Sequence, residues 1–272
     1  MEYLLDKKVR LALIFGWLFI MCAIEFIIPL VKTYRSSIFK TVPNVIMTIL
    51  LVVTNFIFAS ITLLISDWVE INQIGLLYQT DISNMYLKLS IGVIFLDFWA
   101  AYLPHRLMHK IPLLWRFHSV HHSDTMVDVT TAFRQHPLET ALRIAFHLSG
   151  MIILGIPLIV LLTYLSISAF NAQIEHANIH ISIKLDRFLQ YFYVTPNMHK
   201  VHHSNYQPET DSNYSNIFSI WDRIFGTYKT RKDYKSIEYG LEYLNKNEAS
   251  VKNLLIDIPI KTKANQKKKK EQ

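Results

Sequence analysis

Ten of the twelve histidines fall in four clusters. His105 and His109 make H-R-L-M-H, and His118, His121 and His122 make H-S-V-H-H. His176 and His180 make H-A-N-I-H, and His199, His202 and His203 make H-K-V-H-H. On a helix, positions i, i+3 and i+4 share one face. Each cluster can therefore aim two or three imidazoles at one point. Neutral imidazole is the commonest protein metal ligand near neutral pH, and it suits iron, zinc, copper or nickel. A metal ion takes about four to six donors, so ten histidines are too many for one ion and suit two. A structural zinc site would need only about four donors, usually with thiolates. Low-complexity metal tracts are contiguous, whereas these clusters are separated by long apolar and amphipathic stretches. Folding must bring them together, and the expected result is a dinuclear metal site.

The elements that position the clusters read as membrane helices. The 272 residues are 51% hydrophobic and only 18% charged. That composition excludes disorder, collagen and coiled coil. With seven Gly and one Cys, a glycine-rich phosphate loop is disfavoured. Disulfide frameworks, iron–sulfur clusters and thiolate zinc sites are excluded within the chain. Cys22 sits in an apolar run and reads as a small buried hydrophobe. Leu11 to Val31, Val45 to Ile65 and Met85 to Leu103 are each close to the roughly 20 residues that cross a bilayer. Glu139 to Phe170 is too long for one crossing and carries Gly155 and Pro157 at its middle, so it reads as a helical hairpin. Residues 175–252 are polar, aromatic and His-rich, which suits a helical cap.

Loop charges set the orientation. Lys32, Arg35 and Lys40 fill the first loop, Asp67, Glu70 and Asp81 dominate the second, and Arg106, Lys110 and Arg116 follow the third run. The first loop and everything after residue 104 are therefore expected in the cytoplasm. The net charge of +7 raises nucleic acid as a partner. No recognition motif accompanies it and the charge lies where the positive-inside rule places it, so nucleic acid is rejected. The expected fold is an all-α integral membrane protein with about three transmembrane helices, a membrane hairpin and a cytoplasmic cap holding the dimetal site. Its expected divisions are N-terminal transmembrane helices over 1–84, a catalytic domain over 85–240 and a basic, disordered tail over 241–272. All four clusters sit at the cytoplasmic ends of the apolar runs, away from the midplane where a transporter would place its ligands. A non-catalytic metal-binding or metal-transport membrane protein is the alternative reading.

The same residues carry a family resemblance. Asp97-Phe98-Trp99 leads to H-R-L-M-H at 105–109, then W-R-F-H-S-V-H-H-S at 115–123 and D-V-T-T-A-F-R-Q-H-P-L-E at 128–139. H-A-N-I-H at 176–180, T-P-N-M-H-K-V-H-H-S at 195–204 and N-Y…W-D-x-x-F-G-T at 213–227 follow in order. The chain resembles the fatty acid hydroxylase/sterol desaturase superfamily of membrane di-iron oxygenases. Ser215 stands where that family usually has Gly. The resemblance implies that the ten clustered histidines bind two iron ions, with zinc possible in a purified form. It also implies that O2 is used to hydroxylate or desaturate a lipid. Two electrons per turnover must then come from an external donor, either a redox protein or a reduced pterin, because the chain has no flavin, haem or iron–sulfur motif.

Metal-bound histidines usually donate their other N–H to a carboxylate or carbonyl. Asp97, Asp124, Glu139, Glu175 and Asp222 are candidates. Asp97 stands two helical turns before His105, and a carboxylate inside a membrane run is by default functional or paired. His136, in R-Q-H-P, is expected near the site without being a ligand, and Asn178 and Asn197 are expected to orient ligands. Glu25 reads as an intrabundle hydrogen-bonding group and His147 as a buried, satisfied histidine. Trp99, Trp115 and Trp221 read as packing or interfacial residues. Lys269-Lys270-Glu271-Gln272 matches a dilysine retrieval signal of the endoplasmic reticulum, while the length and composition suit a bacterial inner membrane equally well.

Overall fold

The computed structural model describes residues 7–32, 38–243 and 250–262 of the chain. Arg35 and the lysine-rich stretch from 263 onward, with its dilysine match, lie outside the described residues. Helix α1 (Lys7–Ile27) is followed by α2 (Ile38–Ile71), α3 (Met85–Leu96), α4 (Leu103–Lys110) and α5 (Pro112–His122). Helices α6 (Pro137–Leu154) and α7 (Leu158–His176) form the expected hairpin. Four short helices, α8 (Ile183–Leu189), α9 (Pro196–His202), α10 (Gln207–Thr210) and α11 (Ile220–Ile224), build the cap. Among the described residues the only β pairing is two isolated bridges, Pro29–Ile179 and Ser204–Tyr239.

Five helical stretches are long and apolar enough to cross a membrane: 8–27, 42–79, 85–110, 137–154 and 158–176. Phe19, Phe56, Ile57 and Leu64 point outward with more than half of their surface uncovered. Water would penalise such a belt, whereas lipid accepts it. The chain is an integral membrane protein. Cys22 shares this outer surface. The expectation that it is buried within the protein is therefore corrected: an apolar run marks contact with lipid as readily as contact with protein.

The hairpin arms are longer than the sequence suggests, because helix continues from Pro137 to Leu154 and on to His176 across one tight turn. Gly155 makes that turn with φ +73° and donates its N–H back to Met151 O. A Cβ here would lie 2.6 Å from Ile74 O, and one on the facing Gly75 would lie 2.1 Å from Gly155 N. Two bare backbones thus touch, which pins the hairpin tip to the α2–α3 connection. Above the tip, Leu96, Ala100, Met151, Leu154, Val160, Leu161 and Tyr164 pack the core.

Helices α3 and α4 are one element joined by a π-helical turn, Asp97–Tyr102, in which Leu103 N–H reaches Phe98 O. The expectation of a disordered tail is corrected within the described residues: 251–262 is helical. Its Leu254 and Ile258 pack on Met47 and Val120, and Thr262 Oγ1 lies 2.9 Å from Ser119 Oγ on the outer side of α5.

Candidate metal centre

The second and fourth clusters lie on short helices that start alike. Helix α5 opens with Pro112 in its first turn. Helix α9 opens with Pro196 behind Thr195, whose Oγ1 accepts Met198 N–H. Proline suits a first turn because its missing N–H would have no intrahelical acceptor there. Helix α4 brings in His105 and His109, and the last residue of α7 is His176.

Nine of the ten clustered histidines converge in two groups. His105, His109, His118, His122 and His202 form one, and His121, His176, His199 and His203 form the other. Within each group one nitrogen per ring lies within 4.8 Å of all the rest. The adjacent pairs are split. His121 and His122 have their rings at 90° to each other, as do His202 and His203, and each pair sends one ring to each group. The reason is helical: consecutive side chains diverge by about 100°, while i and i+4 stay together. His118 therefore joins His122, and His199 joins His203.

Five of the nine rings have an acceptor behind them, while Nδ1 of His121, His122, His199 and His203 is buried without one. Nδ1–H of His105 donates to Tyr214 O (2.8 Å), that of His202 to Ser212 O (2.7 Å) and that of His176 to Ala172 O (2.6 Å). Nδ1–H of His118 donates to Glu139 Oε1 at 3.0 Å, and His109 Nδ1 lies 3.4 Å from Asp211 Oδ1. A carbonyl can only accept, so in the first three rings the proton is on Nδ1 and Nε2 carries a bare lone pair. Nε2 of His105, His109, His118, His122 and His202 is buried with no protein partner. In the other group, His176 Nε2 lies 3.1 Å from that of His121, 3.0 Å from that of His199 and 3.1 Å from that of His203, and the last two are 3.2 Å apart. Donors placed about 2.0–2.1 Å from one ion would stand about 2.9–3.4 Å apart. Converging lone pairs in a buried site repel unless a cation lies among them, so both groups fit a metal ion.

The tenth histidine is left out. Helix α7 ends at His176 because Ala177 turns extended (φ −57°, ψ 136°). His180 then donates its N–H to Ile28 O (2.9 Å) and is exposed. The i, i+4 spacing of H-A-N-I-H is never realised on a helix, and the structure gives no support to His180 as a ligand. His180→Ala is expected to leave metal content and activity within about twofold of wild type, as an exposed substitution should. Metal analysis of the purified variant checks this.

Asp97 does not stand behind His105. The π turn breaks the regular face they were expected to share. Its carboxylate instead accepts Ile217 N–H (3.1 Å), Phe218 N–H (3.0 Å) and Trp221 Nε1–H (2.9 Å). His136 caps α6 by accepting Leu138 N–H and packs on Phe117, without touching either group. Asn178 pairs with both backbone groups of Val31, and Asn197 is buried on α9 with Oδ1 unpartnered. Glu25 accepts Val129 N–H and Asn178 N–H, and His147 lies beside Tyr164, outside both groups. Glu175 Oε1 is 3.8 Å from His199 Nε2. Asp124 holds Asn44 and Thr131, and Asp222 holds the backbone of Tyr214 and Ser215.

Sequence reasoning missed Asp211 and the carbonyls of Ser212 and Tyr214. They lie on the loop that N-Y at 213–214 marks, whose turn is made by Asn213 at φ +51°. Ser215 is not at positive φ, so serine in place of glycine strains nothing there. Trp115 packs 4.8 Å from His109 and 5.3 Å from His122. It separates the five-histidine group from a surface cleft lined by Asn205, Gln207, Leu241 and Tyr243.

Burial, with His118 close by, pushes His202 down to about 3 and holds His121, His122, His199 and His203 well below the usual histidine value. The rings are neutral, as ligation requires. In the unfolded chain each takes its proton near about 6.5. Below that pH the unfolded state binds more protons than the folded, metal-free state. Stability is therefore intact above about 6.5 and falls as pH drops toward 3. The melting temperature of chelator-treated protein should decline steadily from neutral pH toward pH 5, and a rise on acidification would contradict the buried neutral cluster.

Residues 89–227 match the family model described as fatty acid hydroxylase. The chain is 31% identical to ornithine lipid hydroxylase of Rhizobium tropici over 157 residues, which is 58% of this chain and 46% of that protein. It is 29% identical to alkylglycerol monooxygenase of Homo sapiens over 154 residues, 56% and 32% of the two chains. It is 30% identical to methylsterol monooxygenase 1 of Rattus norvegicus over 131 residues, 48% and 43%. The aligned stretch spans less than half the length of each of these relatives. No solved structure gives a significant match.

Proposed function

The chain belongs to the fatty acid hydroxylase family, and from that premise we propose that it is a membrane di-iron oxygenase that hydroxylates, or desaturates, a C–H bond of a lipid. The observation that carries the reading is the pair of buried all-histidine groups at the ends of apolar helices. We assign His105, His109, His118, His122 and His202 to one ion and His121, His176, His199 and His203 to the other. When bound, the two irons supply O2 activation. Hydroxylation joins R–H, O2, two electrons and two protons to give R–OH and water. The electrons come from an external redox protein or reduced pterin.

The protein's own residues hold and dry the site. Glu139, Asp211 and the carbonyls of Ala172, Ser212 and Tyr214 keep each tethered ring turned with Nε2 inward. Trp115 and Tyr214 pack against the rings and exclude water. Because the groups sit where spans end, a lipid's head region can reach them while its chain stays among apolar side chains. Arg106, Lys110 and Arg116 near these ends favour the cytoplasmic face. The relatives are named for ornithine lipid, alkylglycerol and methylsterol, which supports a lipid substrate.

Purified protein should hold two irons per chain. Membranes containing it should convert a lipid only when both O2 and reductant are present. Comparing lipids of cells with and without the gene for the gain of one oxygen or the loss of two hydrogens would identify the substrate. Turnover without O2 or reductant would overturn the proposal. So would metal flux in proteoliposomes with no lipid change.

A further inference from the structure

Helix α1 lies outside the 89–227 family segment, yet one of its side chains reaches the peptide just beyond His176, a member of the four-histidine group. Glu25 Oε1 accepts Asn178 N–H at 2.5 Å and Val129 N–H at 2.9 Å. Asn178 is two residues beyond His176. The chain just after α1 runs alongside it: Leu30 N–H donates to Asn178 O (3.0 Å), and Val31 N–H donates to Asn178 Oδ1 (3.2 Å). Asn178 Nδ2 returns a bond to Val31 O (3.1 Å), and His180 N–H reaches Ile28 O. From the opposite side Lys200, only 1% exposed and placed between His199 and His202, donates Nζ–H to Ala177 O. The peptide that follows His176 is therefore clamped between α1 and α9.

A carboxylate within a membrane run is expensive and persists where it has partners. Glu25 has two: Asn178, just beyond the end of α7, and Val129, at the start of the turn 129–133. If Asn178 N–H lost its acceptor, the cheapest repair would be one more helical turn, in which that N–H returns to a carbonyl four residues back. That turn would move the chain beyond His176, bring His180 toward the helix face and shift the His176 ring. We propose that Glu25 is a positioning residue for the four-histidine group: it fixes where α7 ends, which keeps His176 in the group and His180 out. The inference rests on the metal-centre reading above.

The test loads wild type and variants with cobalt(II) and reads ions per chain, visible absorption and affinity by chelator competition. His202→Ala and His203→Ala supply reference spectra with one group disabled. Glu25→Ala is expected to weaken the ion of the four-histidine group about 10- to 100-fold, the usual cost of losing support behind a ligand. The other ion should keep its affinity. Glu25→Gln, whose amide oxygen still accepts, should recover most of the loss. Equal weakening of both ions, or of neither, overturns the proposal. If Glu25→Ala does not accumulate, Glu25→Asp decides: it keeps the charge but withdraws the oxygens by one methylene. Selective weakening of the four-histidine ion supports the role, and any other outcome, whether wild-type affinity for both, equal weakening or weakening of the five-histidine ion alone, removes it. Wild type that binds no cobalt would overturn the metal-centre reading itself, separately from the behaviour of the variants.

Discussion

Replacing His202 with alanine and replacing its neighbour His203 with alanine will disable different halves of one centre. His202 belongs to the five-histidine group and His203 to the four-histidine group. Each variant should fall from two ions per chain to about one, and the ion that remains should differ between them. Lipid turnover should drop at least about a hundredfold in both, since even groups that only support a ligand cost up to that much. Iron analysis with a spectroscopy that distinguishes the two ions checks this. If the two variants lose the same ion, the split of H-K-V-H-H between groups is wrong. If either keeps both ions and full activity, the centre is not where these rings meet.

The largest effect on stability is expected at a residue that touches no histidine. Asp97 is fully buried and accepts three N–H donors from 217–221. Asp97→Ala takes the acceptor from all three, one bond fully buried and two partly so. At about 1–3 kcal/mol for each buried donor left unmade, less some relaxation, the loss should be about 3–5 kcal/mol. Trp221→Phe removes one of the three bonds and should cost nearer about 1 kcal/mol from the hydrogen bond itself. Denaturant unfolding in detergent measures both. The freed loop also carries Ser212 O and Tyr214 O, which orient His202 and His105. The five-histidine group should therefore lose its ion before the protein unfolds. A loss below about 1 kcal/mol for Asp97→Ala would show that the loop is held elsewhere.

Much of this was legible in the sequence because it is local. The runs before Val31, Ile65 and Leu103 and the Gly155–Pro157 break give the membrane helices, and H-x-x-H-H gives rings that share a helix face. What escaped depends on partners distant in the chain. The fate of His180 is set by Ile28 and by the Asn178 contacts with α1, about 150 residues earlier. The turn that removes Asp97 from the site is a π insertion, which leaves no spacing signature among D-F-W-A-A-Y. The acceptors behind His105, His176 and His202 are backbone carbonyls, which every residue carries and no pattern can mark. Only Glu139, a carboxylate in a motif, could be picked out beforehand, and it does hold His118.

On the proposed reading, five rings hold one ion and four hold the other. An ion with fewer anchors is released sooner, so a chelator should strip the centre in two phases, the four-ring ion leaving first. A preparation with between one and two metals per chain would then record how long it spent in buffer, and exposure to scavengers would matter as much as purity.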